Sequence, residues 1–104
     1  MDNFKLIYKI LCHLEQSMDY SEFDNDAFTA MRYKITEERW HKILKMLTVN
    51  GYIEGVAIHQ SADGDIVVSG GHPEITLTGL EYLQENSLMQ KAAKLAKGIA
   101  VIAK

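Results

Sequence analysis

Apolar residues at the start of the chain recur at steps of three and four, which is the spacing of one face of an α-helix. Polar side chains such as Lys5 and Lys9 occupy positions between them. The pattern predicts a first helix that ends near Ser17 and packs against the core. Its predicted inward face consists of Phe4, Ile7, Leu11, Leu14 and Met18, and is widened by Ile10 and Tyr8.

Residues 19–26, which follow this helix, are acidic and prone to turns. The Asp24 carboxylate can accept hydrogen bonds from the free amides at the start of a helix. We therefore expect a short second helix that runs through Ala27, Phe28 and Met31.

A third helix has clear signals at both ends. Thr36 can cap its first turn, two glutamates follow at the positive end of the helix dipole, and Asn50-Gly51 ends it. Four apolar residues within it lie in a narrow arc when plotted at 3.6 residues per turn. They form the predicted buried face, which consists of Trp40, Ile43, Leu44 and Leu47.

Beyond Gly51 the pattern changes to the alternation of β-strands. Residues 52–60 and 66–69 are β-prone, and Asp63-Gly64 between them is a strong signal for a tight turn. One β-hairpin is predicted. Thr76 then caps a further helix that buries Leu80 and Leu83, and Gly79 in its first turn indicates a close backbone approach, which we expect to involve the first helix.

Helices followed by a hairpin and another helix are the element order of a winged helix-turn-helix domain. The predicted fold class is therefore α+β, with a small antiparallel wing. A chain of 104 residues has room for one core, so we expect a single domain over residues 1–104. Its parts are three helices in 1–50, the wing in 51–76 and C-terminal helices in 77–104.

The net charge of −3 is unevenly distributed. Residues 31–50 carry five Lys or Arg against two Glu, at the position where a winged helix holds its recognition helix. The leading hypothesis is thus a small DNA-binding transcriptional regulator, with a prophage origin as one alternative, that inserts helix 36–50 into the major groove. Predicted contacts are Arg39 and Lys42 at base edges and Arg32, Lys34 and Lys45 at phosphates, with His41 beside them on the helix.

Two alternatives compete with DNA binding. Lysines and arginines on the outer side of a helix are often only solvated. Residues 51–86 hold six carboxylates and no Lys or Arg, and Asp63 and Asp65 at the wing tip would be repelled by phosphates. The same scaffold is therefore also interpreted as a protein-interaction module that uses the acidic wing and the apolar C-terminal helix.

The C-terminal segment has its own amphipathic pattern. Leu95, Ile99 and Ile102 share a face with Leu88 and Ala92, whereas the lysines lie elsewhere. The segment is expected to pack on its own domain or to pair with a second copy in a homodimer. A membrane surface is disfavoured because the segment lacks Trp and Phe.

Candidate chemistry is sparse in this sequence. The four histidines fall on separate elements without the spacing of metal ligands, and no nucleophile with a partnering base can be proposed. We expect no enzyme activity, no cofactor and no metal. A single cysteine, Cys12, and no signal peptide or membrane-spanning run favour a cytoplasmic location.

Two motifs carry a resemblance to a known family. Gly51-Tyr52-Ile53-Glu54-Gly55-Val56, the hairpin, residues 75–86 and the lysine-spaced tail resemble the YjcQ-like family of small bacterial and prophage proteins, from Thr36 onward. The Thr-x-x-Gly-x-x-Tyr-Leu pattern that begins at Thr76 is similar to one in the MarR and PadR winged-helix regulators. The resemblance implies a winged-helix fold and transfers no catalytic residue.

Overall fold

The computed structural model describes residues 3–69 and 71–87. Within these ranges the chain forms helix α1 (Asn3–Ser17), a single 3-10 turn (Asn25–Ala27), helix α2 (Glu37–Val49) and helix α3, whose described part is 77–87. Four short strands lie between α2 and α3: β1 (Ile53–Glu54), β2 (Ala57–Gln60), β3 (Ile66–Ser69) and β4 (Glu74–Ile75). The architecture is α+β, as predicted, and is compatible with a winged-helix arrangement.

Helix α1 ends at Ser17 as expected, and Ile10, Leu11 and Leu14 of its predicted inward face are buried, whereas the buried Leu6 was not predicted. Leu6, Ile10 and Leu14, at steps of four, form its fully buried centre together with Leu11. Phe4 and Met18 are exposed, because they lie at the two ends of the helix, beyond the elements that cover its middle. β4 packs against this helix.

The predicted second helix is wrong in its extent. Asp24 does cap it, since its carboxylate accepts a hydrogen bond from the Asp26 amide at 3.1 Å. The helix nevertheless ends at Ala27 after one 3-10 turn, and residues 30–34 form turns in which Lys34 has a φ of 59°. Met31, which the predicted helix included, lies in these turns and is 85% exposed.

Aromatic packing explains why this segment does not continue as a helix. The ring of Phe28 lies 4.9 Å from that of Trp40 on α2, and the Tyr33 ring stacks on Trp40 at 5.4 Å between centroids. Phe28 also meets Phe23 and His13. These rings attach residues 23–33 to both α1 and α2, and these contacts outweigh a local preference for helix.

Ionisable groups at the edge of this aromatic cluster have shifted pKa values. Burial lowers the pKa of His13 from its ordinary 6.5, the nearby Arg32 cation lowers it further, and Asp24 opposes the shift. Burial raises the pKa of Tyr33 to about 12. The Tyr33 hydroxyl lies 3.3 Å from Nδ1 of His13, so two neutral groups share a hydrogen bond at the cluster's rim.

Helix α2 agrees with its prediction in both its N-terminal cap and its buried face. The Thr36 hydroxyl oxygen accepts a hydrogen bond from the Arg39 amide at 3.1 Å, which caps the first turn. The predicted residues Trp40, Ile43, Leu44 and Leu47 are all buried. The opposite side of the helix is consequently left to solvent.

The predicted hairpin exists but is divided into two separate ladders. β2 pairs with β3 from Ala57↔Ser69 to Gln60↔Ile66, and β1 pairs with β4 through Ile53↔Ile75 and Glu54↔Glu74. The break occurs at Gly55, which has a φ of +87° and lies so close to the carbonyl of His72 that a Cβ would overlap its oxygen. At the other end, the Gly64 amide donates to the Ser61 carbonyl at 2.9 Å and closes the predicted turn.

Helix α3 begins at its predicted cap. The Thr76 hydroxyl accepts from the Gly79 amide at 3.1 Å and donates to the Gly51 carbonyl, which ties the start of α3 to the end of α2. Leu83 is buried and Leu80 half-buried. The close approach expected at Gly79 is present, but its partner is the Tyr52 carbonyl and not the first helix.

Candidate nucleic-acid interface

The exposed side of α2 is the surface on which the predicted DNA contacts concentrate. Arg39 and Lys42 are both exposed in its first half, where a recognition helix meets base edges. Lys45 is half-buried one turn further on, and Met46 and Val49 are exposed near the C-terminal end. The structure thus brings Arg39, Lys42 and Lys45 onto one element.

Arg39 is oriented by a partner that the sequence did not suggest. Its Nη1 donates to Oδ1 of Asn3 at 2.6 Å, a contact between the first turn of α1 and the first turn of α2. Together with Thr36, Lys42 and Met46, these two residues line an open cleft of about 280 Å³. No local pattern signals this contact, because its two members lie 36 residues apart.

His41 belongs to the side of α2 rather than to its exposed face. Its side chain is mostly covered, and Nε2 lies 3.7 Å from the Glu37 carboxylate one turn earlier. A contact between His41 and a nucleic acid would have to compete with this neighbour. Of the six predicted DNA contacts, His41 is the one whose side chain lies beside a carboxylate of its own helix.

Arg32 and Lys34 lie in the turn before α2, and both are exposed. The Arg32 cation adds to the burial that lowers the pKa of His13, and it opposes the burial that raises the pKa of Tyr33. Neither residue lines the clefts that flank Lys42. Their place in the chain is the turn that precedes α2.

The wing tip lies beside the same helix. Asp63, Asp65 and Val67 line a cleft of about 380 Å³ together with Glu38 and Lys42. Within the described residues, neither aspartate forms an ion pair with Lys42. The sequence showed that the tip is acidic, but not that β3 packs on α2 and places those carboxylates next to the predicted recognition face.

The charge of the described residues as a whole is acidic. Residues 3–69 and 71–87 contain seven Lys or Arg and thirteen Asp or Glu, a net charge of −6. Five of these seven basic residues lie on α2 or in the turn before it, and the other two, Lys5 and Lys9, lie on α1. The remaining lysines, and the expected dimer contacts Leu95, Ile99 and Ile102, lie outside the described residues.

The described residues offer little for metal or covalent chemistry. Among its described residues, no three His, Cys, Asp or Glu side chains come together in a way that could hold a metal ion. Burial raises the pKa of the Cys12 thiol, so it is held in its less reactive protonated form. No described helix is both long and apolar enough to cross a membrane.

Comparison with known proteins agrees with the resemblance noted in the sequence. The family model described as YjcQ protein matches residues 8–101, which includes the first helix as well as the motifs from Thr36 onward. No curated protein and no solved structure matches the chain. Because the family model covers most of its length, the chain belongs to the YjcQ protein family.

Proposed function

We propose that this protein binds double-stranded DNA as a small transcriptional regulator, with α2 lying in the major groove. The observation that carries the proposal is the exposed face of α2, where Arg39 and Lys42 project beside a hairpin that has the place of a wing. This assignment implies a cytoplasmic location, where DNA is accessible.

The residues on this face have distinct roles in the proposal. Arg39 in the first turn would meet a base edge, where a guanidinium can form two parallel hydrogen bonds to guanine. Its present hydrogen bond to Asn3 would be exchanged for a base contact on binding. Lys42 would contact a base edge or a phosphate, and Lys45 a phosphate.

The acidic wing limits how this contact can be made. A wing that followed the phosphate backbone would bring Asp63 and Asp65 against negative charge, which costs binding free energy. The proposed complex therefore relies on α2 and the turn before it, with the wing tip held off the duplex. Since the described residues carry a net charge of −6, we expect modest affinity that decreases steeply with salt.

The proposal is tested by titrating the full chain into a pool of random duplexes at several salt concentrations. Each phosphate contact contributes about 0.9 to the slope of log affinity against log salt. Lys42→Ala and Lys45→Ala should each flatten that slope by about this amount. Unchanged slopes in both variants would refute the assignment.

Lys9→Ala is the matched control for this titration. Lys9 is exposed on α1 and lines neither cleft beside α2, yet its removal changes the net charge by the same amount. It should leave the slope close to that of the natural chain. A flattening equal to that of Lys42→Ala would mean that the whole molecule, and not the α2 face, attracts DNA.

A second candidate function is supported by the cleft between α2 and the wing tip. Its lining combines the exposed Val67 with three carboxylates, Glu38, Asp63 and Asp65, and a single cation, Lys42. A basic segment of a partner protein fits this chemistry better than a phosphate does. A partner captured from cell extract should be lost when Asp63 and Asp65 are replaced by Asn, a change that would favour DNA.

A further inference from the structure

A groove of about 420 Å³ lies between the C-terminal end of α1, the loop that follows it and β4. It is separate from the clefts beside α2, with which it shares no residue. Its apolar and aromatic lining consists of Leu14, Met18, Tyr20, Phe23, Pro73 and Ile75.

The rim of the groove carries two large exposed side chains. Leu14 and Ile75 are buried and form the floor, whereas Met18 is 62% exposed and Tyr20 is 73% exposed. Both large side chains therefore lie in water beside the buried Leu14 and Ile75, in a groove that Ser17, Ser21, His72 and Glu74 also line. A segment with an apolar face could remove Met18 and Tyr20 from water.

The charge around the groove is acidic. Glu74 lines it, and Asp19 and Glu22 flank Tyr20 along the chain. All three are exposed, and no Lys or Arg is among the residues that line the groove. A segment that covers Met18 and Tyr20 would thus place its polar side next to carboxylates.

We propose that residues 88–104 of the same chain bind in this groove. Their sequence contains the amphipathic pattern that the groove needs, with apolar residues at steps of four and three and with four lysines and no carboxylate side chain. The apolar face covers Met18 and Tyr20, and the lysines lie toward Asp19, Glu22 and Glu74. The apolar residues are Leu88, Ala92, Leu95, Ile99 and Ile102, and the lysines are Lys91, Lys94, Lys97 and Lys104.

Chain connectivity allows this contact within one molecule. α3 begins directly after β4, which forms one wall of the groove, and its eleven described residues extend about 16 Å at 1.5 Å per residue. The seventeen residues that follow would span about 26 Å as a helix, which is longer than the described part of α3 and is enough to return to the groove. A segment tethered this closely has a high effective concentration at the groove, which favours it over the same segment of a second copy.

The apolar contact supplies the stabilisation in this proposal, and the charges select the segment. Exposed ion pairs are individually weak in water, so the lysines alone would not hold the segment in place. The lysines do, however, make binding of this basic segment to the acidic rim more favourable than binding of an acidic segment. The inference does not depend on DNA binding.

A nitroxide spin label at the groove tests the contact in the full chain. The label is attached through Ser21→Cys, an exposed groove residue, in a Cys12→Ala background, and the amide signals of residues 91–99 are recorded by NMR. We expect these signals to lose most of their intensity through paramagnetic broadening. Replacing Leu95 and Ile99 by Asp should restore them, while broadening of amides in α1 persists and shows that the domain remains folded.

A label at the wing tip, attached through Ala62→Cys, is the matched control. It should leave residues 91–99 sharp, because Ala62 belongs to the far end of the hairpin and does not line the groove. Equal broadening from both labels, broadening from the wing label alone, or none from either overturns the proposal.

A mixed sample distinguishes the same chain from a second copy. Isotope-labelled protein without a nitroxide is combined with spin-labelled protein that carries no isotope, so that only contacts between molecules cause broadening. Sharp signals in the mixture support binding within one chain. Broadening in the mixture equal to that in the single-chain experiment overturns it and assigns the segment to a homodimer.

Discussion

Gly79 lies directly against the carbonyl group of Tyr52, so that any side chain at position 79 would overlap that oxygen. The same carbonyl accepts a hydrogen bond from the Thr76 amide at 3.1 Å, and the rings of Tyr52 and Tyr82 lie 5.2 Å apart. The first turn of α3 is therefore packed onto the residue that follows α2. The two sequence motifs shared with the YjcQ family, one around Tyr52 and the other around Gly79, are the two sides of a single contact.

Gly79→Ala is predicted to destabilise the protein although alanine favours helices. Alanine in a helix is better than glycine by about 1 kcal/mol, but overpacking against a rigid backbone costs about 1–3 kcal/mol. The new methyl group would overlap the Tyr52 carbonyl oxygen and would lie 2.6 Å from Cγ1 of Ile75, so it has little room for adjustment. Chemical denaturation should show a net loss in the free energy of unfolding.

Leu77→Ala is the control for this prediction, because Leu77 is exposed in the same turn of α3. Its replacement should change the free energy of unfolding by less than about 0.5 kcal/mol. A Gly79→Ala variant as stable as the natural chain would mean that α3 can move away from Tyr52 at no cost.

Gly55→Ala is predicted to be more destabilising than Gly64→Ala. Both glycines have φ near +90°, so alanine suffers a similar backbone strain of about 1–2 kcal/mol at either position. Only at Gly55 would the new methyl group also overlap the His72 carbonyl, whereas Gly64 has open space around it. The difference between the two losses in the free energy of unfolding therefore measures the cost of overlap with the His72 carbonyl. Equal losses in the two variants would contradict the prediction.

His13 is predicted to make the fold less stable as pH falls. Its pKa in the folded protein is lower than the ordinary 6.5, so the unfolded chain binds a proton more readily. The stability that neutral His13 contributes is complete above pH 6.5 and is lost as the pH falls from there through the folded pKa. Unfolding free energies measured between neutral and mildly acidic pH should decrease in the natural chain. In His13→Gln this part of the decrease should be missing, and identical pH profiles for the two proteins would count against the prediction.

Local signals in the sequence predicted the elements whose structure depends on local contacts. The hydroxyls of Thr36 and Thr76 bond to amides three residues away, and the buried face of α2 follows from the helical period alone. Trp40 and Leu47 could therefore be assigned to the core without knowledge of the rest of the chain. The turn that ends at Gly64 is of the same kind.

The features that were mispredicted depend on contacts between distant residues. Phe28 lies in a segment whose local sequence favours a helix. Its ring packs on Trp40, however, and the helical turn ends at Ala27, directly before it. The hairpin is interrupted because Gly55 meets the His72 carbonyl, which no strand pattern encodes. Likewise, the acidity of Asp63 and Asp65 was evident in the sequence, but their position in a cleft with Lys42 was not.

The carboxylates of the wing tip are predicted to weaken DNA binding, because they share a cleft with Lys42. If α2 is the recognition helix, Asp63→Asn and Asp65→Asn remove negative charges that lie beside Lys42 and repel phosphates, and should strengthen duplex binding by roughly 0.2–1 kcal/mol for each charge. The gain should be measured by fluorescence anisotropy at low salt and should shrink near 0.15 M salt, where charges are screened beyond about 8 Å. Glu81→Gln and Glu85→Gln on α3 change the net charge equally but line neither cleft beside α2, so they should have a smaller effect. Equal gains from both pairs would indicate a general charge effect, and weaker binding by the wing-tip variants would show that the tip itself contacts the nucleic acid.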